Sequence, residues 1–323
     1  MNKIIGIVLG KKPGDWQRID ADGSNIEVEP GTFDTLYAGI KPAVIDEQHM
    51  IEIPAYHYRS ATIQHGENAG KKAIWFSPRP EDGFKLHPAF RHQDQDLDRF
   101  WLGAYQGTPD GPDKLGSQPG NMPLTNIDFP TMQARAGARG DGWMLWSAYQ
   151  LAAVQMLALI ETGNADAQQS LGRGHVDGGG VKAVDDTLVI QASWRGITGL
   201  WGNVWQMLDG LRTDNEGNYL VWDEDGSCEY RCTEVQAPDG GWFRRRSSRR
   251  GEGFDLGALF LPKKTHDDYG KGCFADYFWA YSNAVAYHGG SYGNGAYAGL
   301  FYLSVSNAAS HAYTNLGGRL AKV

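Results

Sequence analysis

The clearest chemical signature in this sequence lies near its end, where residues 277–318 contain no Asp, Glu, Lys or Arg. The segment is instead rich in Tyr, Ser, Asn, Gly and His. Tyrosine offers a rigid amphipathic surface with few rotatable bonds, while Ser, Asn and Gly supply adaptable hydrogen bonding, as in antibody paratopes. A surface shaped only by solubility would carry Lys and Glu. The segment therefore predicts noncovalent recognition of a ligand and no catalysis.

The predicted ligand contacts are the polar and aromatic side chains of the part of this segment that spans about 287–316. They are Tyr287, His288, Ser291, Tyr292, Asn294, Tyr297, Ser304, Ser306, Asn307, His311, Tyr313 and Asn315.

Two stretches of alternating apolar and polar residues predict how these side chains are presented. Over 300–307, Phe301, Leu303 and Val305 face a core, while Tyr302, Ser304 and Ser306 face solvent. Over 310–316, Ala312, Thr314 and Leu316 face inward, while His311, Tyr313 and Asn315 face outward. The alternative is an exposed polar strand that recognises nothing.

The other groups with chemical potential favour no catalytic or metal centre. Cys228, Cys232 and Cys273 do not make a disulfide framework, and the first two are interpreted as free thiols. The acidic residues of 94–98, with two nearby histidines, and those of 209–225, candidates for calcium, are interpreted as solvated. No metal and no cofactor is predicted. The basic run at 244–250 could meet an anionic glycan or nucleic acid, but pairing with nearby carboxylates or solvation is favoured.

Composition limits the classes of partner. The chain has 323 residues, 41% of them apolar, and a net charge of −8. This charge argues against binding to nucleic acid or to an anionic membrane surface, because phosphate neutralisation needs an excess of Lys and Arg. The apolar run near the N-terminus is too short to span a membrane and lacks a signal-peptide cleavage site. We expect no membrane insertion, and synthesis in the host cytoplasm without a signal peptide.

The elements that must position the segment follow from hydrophobic periodicity. Strands are predicted at 4–9, 40–45, 50–58 and 72–76, and a long loop at 104–126. Helices are predicted at about 128–138, with Asp128 as N-cap, and at about 142–162. Later strands are expected at 187–192, 219–222 and 258–261. Helices followed by strands indicate the α+β class, divided into a small β-rich N-terminal unit (1–48) and a larger domain (49–323).

Several motifs resemble those of known families. The run GLWGNVWQMLD (199–209) resembles the GNVWEW signature of formylglycine-generating-enzyme-like proteins, a branch of the C-type lectin fold, and GGRL (317–320) resembles their terminal strand. IPAYHY (53–58), DGFKLHPAF (82–90) and LGAY (102–105) are similar to a pattern of phage tail proteins. Over most of its length the chain resembles the variable proteins of diversity-generating retroelements and related phage tail receptor-binding proteins.

This resemblance implies a C-type lectin fold whose C-terminal segment is rewritten at adenine-containing codons to change host-receptor specificity. It implies a virion tail-fibre adhesin that binds a host cell-surface receptor, protein or glycan, and contacts other virion tail proteins. It also allows a homotrimer. Two alternatives stay open: an oxidase-like enzyme of the formylglycine-generating type, although its C-terminal cysteine pair is lacking, and a virion structural protein without a ligand.

Overall fold

Short β-strands make up most of the regular structure in residues 4–323, which the computed structural model describes. Four helices occur in this part of the chain, and they are α1 (Thr32–Leu36), α2 (Phe129–Gly137), α3 (Ala148–Thr162) and α4 (Ala167–Ser170). The strands are β1 (Ile5–Val8), β2 (Gln17–Ile19), β3 (Lys41–Ile45), β4 (Gln48–Pro54), β5 (His57–Thr62), β6 (Lys72–Ser77), β7 (Lys85–Leu86), β8 (Arg91–His92), β9 (Gln95–Asp96), β10 (Arg99–Gly103), β11 (Thr108–Asp110), β12 (Lys114–Gly116), β13 (Trp143–Leu145), β14 (Trp205–Thr213), β15 (Asn218–Trp222), β16 (Tyr230–Gln236), β17 (Gly241–Arg246), β18 (Arg250–Gly251), β19 (Phe254–Asp255), β20 (Pro262–His266), β21 (Tyr277–Ala280), β22 (Val285–His288), β23 (Leu303–Asn307), β24 (Leu316–Gly317) and β25 (Leu320–Lys322). The chain is a mixed α and β protein that is mostly β.

The strands form three larger sheets, and helix α3, which is buried on nearly all sides, packs against β1 of the first and β14 of the third. The first has the order β2-β1-β6-β5-β7, and the second has the order β13-β25-β10-β4-β3. The third runs β16-β15-β14-β22-β23-β21-β17-β20, with β24 added beside β14. Most pairs are antiparallel, but β21 with β23 and β14 with β24 are parallel.

Strands on both sides of residue 48 share the same sheets. Strand β1 pairs with β6, and β3 pairs with β4. Buried apolar side chains from Ile5 to Ala321 form one cluster. Residues before and after position 48 therefore share sheets and buried clusters, and the division into two units stays a prediction.

Both principal helices occur where the sequence predicts them. Asp128 caps α2 by accepting a hydrogen bond from the Thr131 amide at 3.0 Å. Helix α3 begins later than predicted, at Ala148, because β13 pairs with the C-terminal strand β25. Ser147 and Gln150 then form a reciprocal capping box.

Four expectations about local structure are wrong. The loop at 104–126 contains the hairpin β11–β12. The 50–58 strand is interrupted between β4 and β5. Residues 187–192 form turns, because the Asp186 carboxylate accepts from the Leu188 amide at 2.9 Å and winds the chain locally. Residues 258–261 are buried but belong to no strand, since Asp255 caps a 3-10 turn just before them.

A fully buried arginine fastens the C-terminus to the centre of the molecule. Arg319 donates hydrogen bonds to the carbonyls of Gly103 (2.7 Å), Thr198 (2.7 Å) and Gly199 (2.9 Å), and to Gln206 Oε1 (2.9 Å). All four acceptors are neutral oxygens. Burial lowers the pKa of Arg319 to about 9. The cation is therefore held by neutral hydrogen-bond acceptors and by the ring of Trp146, whose centroid lies 5.3 Å from the guanidinium carbon.

Replacing Arg319 by Met is expected to lower the free energy of unfolding by about 3–5 kcal/mol, because several buried oxygens lose their donor. Urea denaturation measures this change. Lys322→Met is the control, since Lys322 lies three residues further on and makes one exposed hydrogen bond, to the Asp141 carbonyl. Equal losses for the two variants would contradict the assigned role of Arg319.

The pH dependence of stability has a source in His87. Its Nδ1 accepts from the Ala89 amide at 3.2 Å, and its Nε2 donates to the Ala258 carbonyl at 3.1 Å. Burial lowers the pKa of His87 to about 3. Below pH 6.5 the unfolded chain takes up a proton that the folded chain does not.

The free energy of unfolding is therefore expected to fall from about pH 6.5 down to about pH 3, by about 1.4 kcal/mol per pH unit from this residue. Urea denaturation at pH 7 and pH 5 measures the slope. His87→Gln should be less stable at pH 7 but should have a shallower slope. An unchanged slope in that variant would refute the assignment.

Candidate ligand-binding surface

The uncharged segment 277–318 forms the centre of the third sheet. Strands β21, β22 and β23 lie side by side between β14 and β17. Ser304 on β23 is opposite Trp279 on one side and Tyr287 on the other. Two loops, 289–302 and 308–315, follow β22 and β23, and neither contains a charged residue. The sheet therefore supports both uncharged loops.

The twelve predicted contact residues divide into two groups by exposure. The partly or fully exposed ones are Tyr292, Asn294, Tyr297, Ser306, Asn307, His311, Tyr313 and Asn315. The buried ones are Tyr287, His288, Ser291 and Ser304. In this structure the second group is inaccessible to a ligand and supports the first.

The predicted outward orientation of Tyr302 and Ser304 is wrong, since both are fully buried. The outer side of β23 is covered by aromatic rings, and the Tyr302 ring lies 4.8 Å from that of Trp205. The strand expected over 310–316 is a loop with a short bridge at its end, in which Ala312 and Thr314 are exposed. The alternating pattern identifies the polar residues of 310–316 but predicts the wrong backbone conformation for them.

His288 has a structural position. Its Nδ1 faces the Tyr302 carbonyl at 3.1 Å, and its Nε2 faces the Leu200 carbonyl at 2.9 Å. Burial lowers the pKa of His288 to about 3, so the ring is neutral at physiological pH. It bridges the loop before β23 and the loop before β14.

Small polar side chains are linked along the end of β23. The Ser304 and Ser306 hydroxyls are 2.8 Å apart, and Asn307 Nδ2 donates to Ser306 Oγ at 3.4 Å. His311 Nδ1 lies 3.1 Å from Asn307 Oδ1, and the His311 ring contacts that of Tyr313. These bonds orient polar side chains at the end of β23, of which Ser306, Asn307 and His311 are partly exposed.

The loop after β22 is also held by polar contacts. Asn294 Oδ1 accepts from the Ser291 amide at 2.7 Å and lies 3.0 Å from its hydroxyl. Asn315 Nδ2 donates to Ser291 Oγ at 3.4 Å, which links this loop to the one before β24. The Tyr292 ring stacks on His175 with centroids 6.2 Å apart.

Five aromatic rings form a cluster that we call the aromatic surface. Its members are Trp242, Tyr269, Tyr277, Trp279 and Tyr297, whose neighbouring ring centroids are 4.7–5.4 Å apart. Tyr269, Tyr297 and Trp279 are 59%, 44% and 39% exposed. Ring packing of this kind fixes the geometry of side chains that remain open to solvent.

Within residues 4–323 the buried hydroxyl of Tyr287 has no hydrogen-bond partner, and that of Tyr302 has only the nearby Trp279 side chain, outside good hydrogen-bond geometry. Both rings pack against Trp205, at 6.5 Å and 4.8 Å. Burial raises the pKa of both phenols. Each hydroxyl is thus a neutral group with unused hydrogen-bonding capacity under a layer of aromatic side chains.

Sequence reasoning identified Tyr297 and missed the other four members of the aromatic surface. Tyr277 and Trp279 alternate with the buried Phe278, a period-2 signal that was available. Trp242 and Tyr269 come from separate segments, and only tertiary structure brings them to Tyr277 and Tyr297.

No cluster of three or more His, Cys, Asp or Glu side chains suited to a metal ion occurs within residues 4–323. The three cysteines are free. No helix in the described part of the chain is long and apolar enough to cross a membrane.

Comparisons with known proteins give distant structural likenesses. No protein-family model matches the sequence, and no curated protein matches it. Among solved structures, the chain is similar to the Major Tropism Determinant P3c variant, with 12% identity and a TM-score of 0.37 over 99% of this chain and 72% of that one. The M1 variant has 14% identity and a TM-score of 0.35 over the same shares. PvdO from Pseudomonas aeruginosa has 10% identity and a TM-score of 0.35 over 92% of this chain and 99% of its own. TM-scores this low establish neither a shared fold nor a shared activity.

The division between exposed and buried residues makes a stability prediction. Tyr313→Ser should change the free energy of unfolding by less than about 0.5 kcal/mol, because Tyr313 is half exposed on a loop. Tyr302→Ser should cost about 3–5 kcal/mol, since it empties a buried ring-sized space. Thermal and urea unfolding compare the two variants. A large loss of stability in Tyr313→Ser would show that the Tyr313 side chain belongs to the packed core and is not a free contact residue.

Proposed function

We propose that this chain is a receptor-binding adhesin, in which the aromatic surface and the loops 289–302 and 308–315 contact a ligand on a host cell. The observation that carries the proposal is the exposure of clustered tyrosine and tryptophan rings beside the strands β21–β23, which carry no charged residue. Tyr and Trp dominate binding hot spots, and exposed apolar patches mark interaction sites. A preorganised frame keeps the entropic cost of binding low.

The finer parts of the proposal rest on the sequence resemblance. We propose a C-type lectin fold, a phage or prophage tail-fibre origin, and a C-terminal segment that is diversified to change host-receptor specificity. The eight exposed or partly exposed contact residues are then the replaceable ones. Other tail proteins, and two further copies of the chain in a homotrimer, are the expected assembly partners.

The cysteines support a role in binding over an oxidase-like one. Burial raises the pKa of the Cys228 thiol to about 11 and that of the Cys273 thiol to about 12. Thiolates are the nucleophilic and metal-binding form of cysteine. Neutral thiols at physiological pH are poor starting points for copper chemistry, and we propose no catalytic activity.

The test is cell binding by the fluorescently labelled chain across a panel of bacterial strains. The double variant Trp279→Ala/Tyr297→Ala should lose binding at least tenfold on strains that the unmodified chain stains, because hot-spot truncations cost about 2 kcal/mol or more each. Val44→Ala/Leu188→Ala is the matched control, since both residues are exposed apolar side chains outside the aromatic surface.

Retained binding in the Trp279/Tyr297 variant, or a failure of the unmodified chain to stain any strain, would count against an adhesin that works through this surface. Unfolding curves of each variant separate loss of contact from loss of fold. Sedimentation at three times the chain mass would support the homotrimer.

A further inference from the structure

The basic run 244–250 is only partly neutralised by the carboxylates expected to pair with it. Arg249 pairs with Glu234 at 2.7 Å, and Arg250 pairs with Asp255 at 3.1 Å. Arg246 is buried and donates to Ser60 Oγ at 2.6 Å and to the Gly257 carbonyl at 3.1 Å. Arg245 is exposed, and within residues 4–323 no carboxylate pairs with it.

Three lysines from other strands surround Arg245. Lys264 lies directly opposite it on β20, with Lys263 beside Lys264. Lys72 on β6 is held near them by a 2.7 Å hydrogen bond to Ser248 Oγ. Burial, and then the charges of Arg245, Arg246 and Lys263, lower the pKa of Lys72. We call Lys72, Arg245, Lys263 and Lys264 the basic patch, and none of the four has a carboxylate partner among the described residues.

The like charges of the basic patch repel one another, and the fold alone does not require this arrangement. Like charges directly opposite one another on neighbouring strands are destabilising. Lysines on the edge strand β20 would by themselves prevent edge-to-edge pairing of sheets. That role explains Lys263 and Lys264 but not Arg245 on the interior strand β17, nor Lys72 in a different sheet.

We propose that the basic patch binds an anionic polysaccharide through its carboxylate or sulfate groups. Arginine and lysine side chains arranged across adjacent strands suit a linear polymer with regularly repeated charges. The net charge of −8 opposes any long polyanion, and it opposes a DNA duplex most, because a duplex carries about one charge per 1.7 Å of its axis. The basic patch shares strand β17 with Trp242 of the aromatic surface, but the proposal does not depend on the receptor contacts.

The test is titration of the full chain with a heparin dodecasaccharide in 50 mM NaCl, with neutral dextran of similar length as the comparison polymer. The chain should bind heparin and not dextran, and affinity should fall steeply with added salt. Arg245→Gln/Lys263→Gln should weaken binding at least fivefold and reduce the slope of log K against log[NaCl] by about 1–2.

The matched control is Lys41→Gln/Lys114→Gln, which removes the same net charge from two other strands and should leave heparin affinity within about twofold of the unmodified chain, as expected for contacts outside the site. Equal weakening by the control would reduce the effect to net charge and overturn the proposal. Tighter binding of a 20-base-pair DNA duplex than of heparin would overturn it in favour of nucleic acid.

Unfolding curves and sedimentation of both double variants complete the design. Normal heparin affinity together with self-association of the Arg245/Lys263 variant would show that the patch only protects an edge, and would refute the site. Loss of heparin binding with unchanged cell staining would support the site as a second one. Cell staining that is lost in the Trp279/Tyr297 variant but kept in the Arg245/Lys263 variant would show that the receptor contacts and the basic patch act independently.

Discussion

A cation buried without a counter-charge is the constraint on which the proposed recognition surface depends. Arg319 donates to Gln206 Oε1 and to the Gly199 carbonyl, and Gln206 Nε2 donates to the same Gly199 carbonyl at 3.0 Å. The adjacent Leu200 carbonyl faces His288. One connected polar network thus runs from the C-terminus, through the loop before β14, to strand β22, which leads into the loop 289–302. Buried networks of this kind specify one arrangement because each unsatisfied member is costly.

Above that network, buried and exposed side chains form separate layers. Tyr287, Tyr302 and Trp205 form an aromatic layer on the sheet, and the exposed rings and small polar side chains lie above it. Interactions that determine stability are therefore concentrated below, while those available to a ligand lie on loops and on the outer ring edges. Such separation lets contact residues differ without a change in the core.

The sequence alone predicted the two principal helices and the residue types of the surface. It did not predict which of those residues are buried. Asp128 and Ser147 precede apolar periodic runs, and local hydrogen bonding places both helix starts near them. The alternation over 300–307 marked Tyr302 and Ser304 as exposed, because a period of two cannot show that neighbouring rings cover the second face. Trp242 and Tyr269 join the surface through long-range packing that no local pattern encodes. The basic patch likewise needs three segments brought together.

A β-carbon at Gly299 would lie 2.1 Å from Asp276 Oδ1, and the same carboxylate accepts from the Phe301 amide at 2.6 Å. This contact joins the loop after β22 to the start of β21, between the exposed residues of that loop and the buried ones that follow. A combinatorial library built on the chain has natural limits there: randomisation suits 292–297 and 306–315, whereas 298–305 must be kept constant. The scaffold would then serve as a small display framework for selecting new binding specificities.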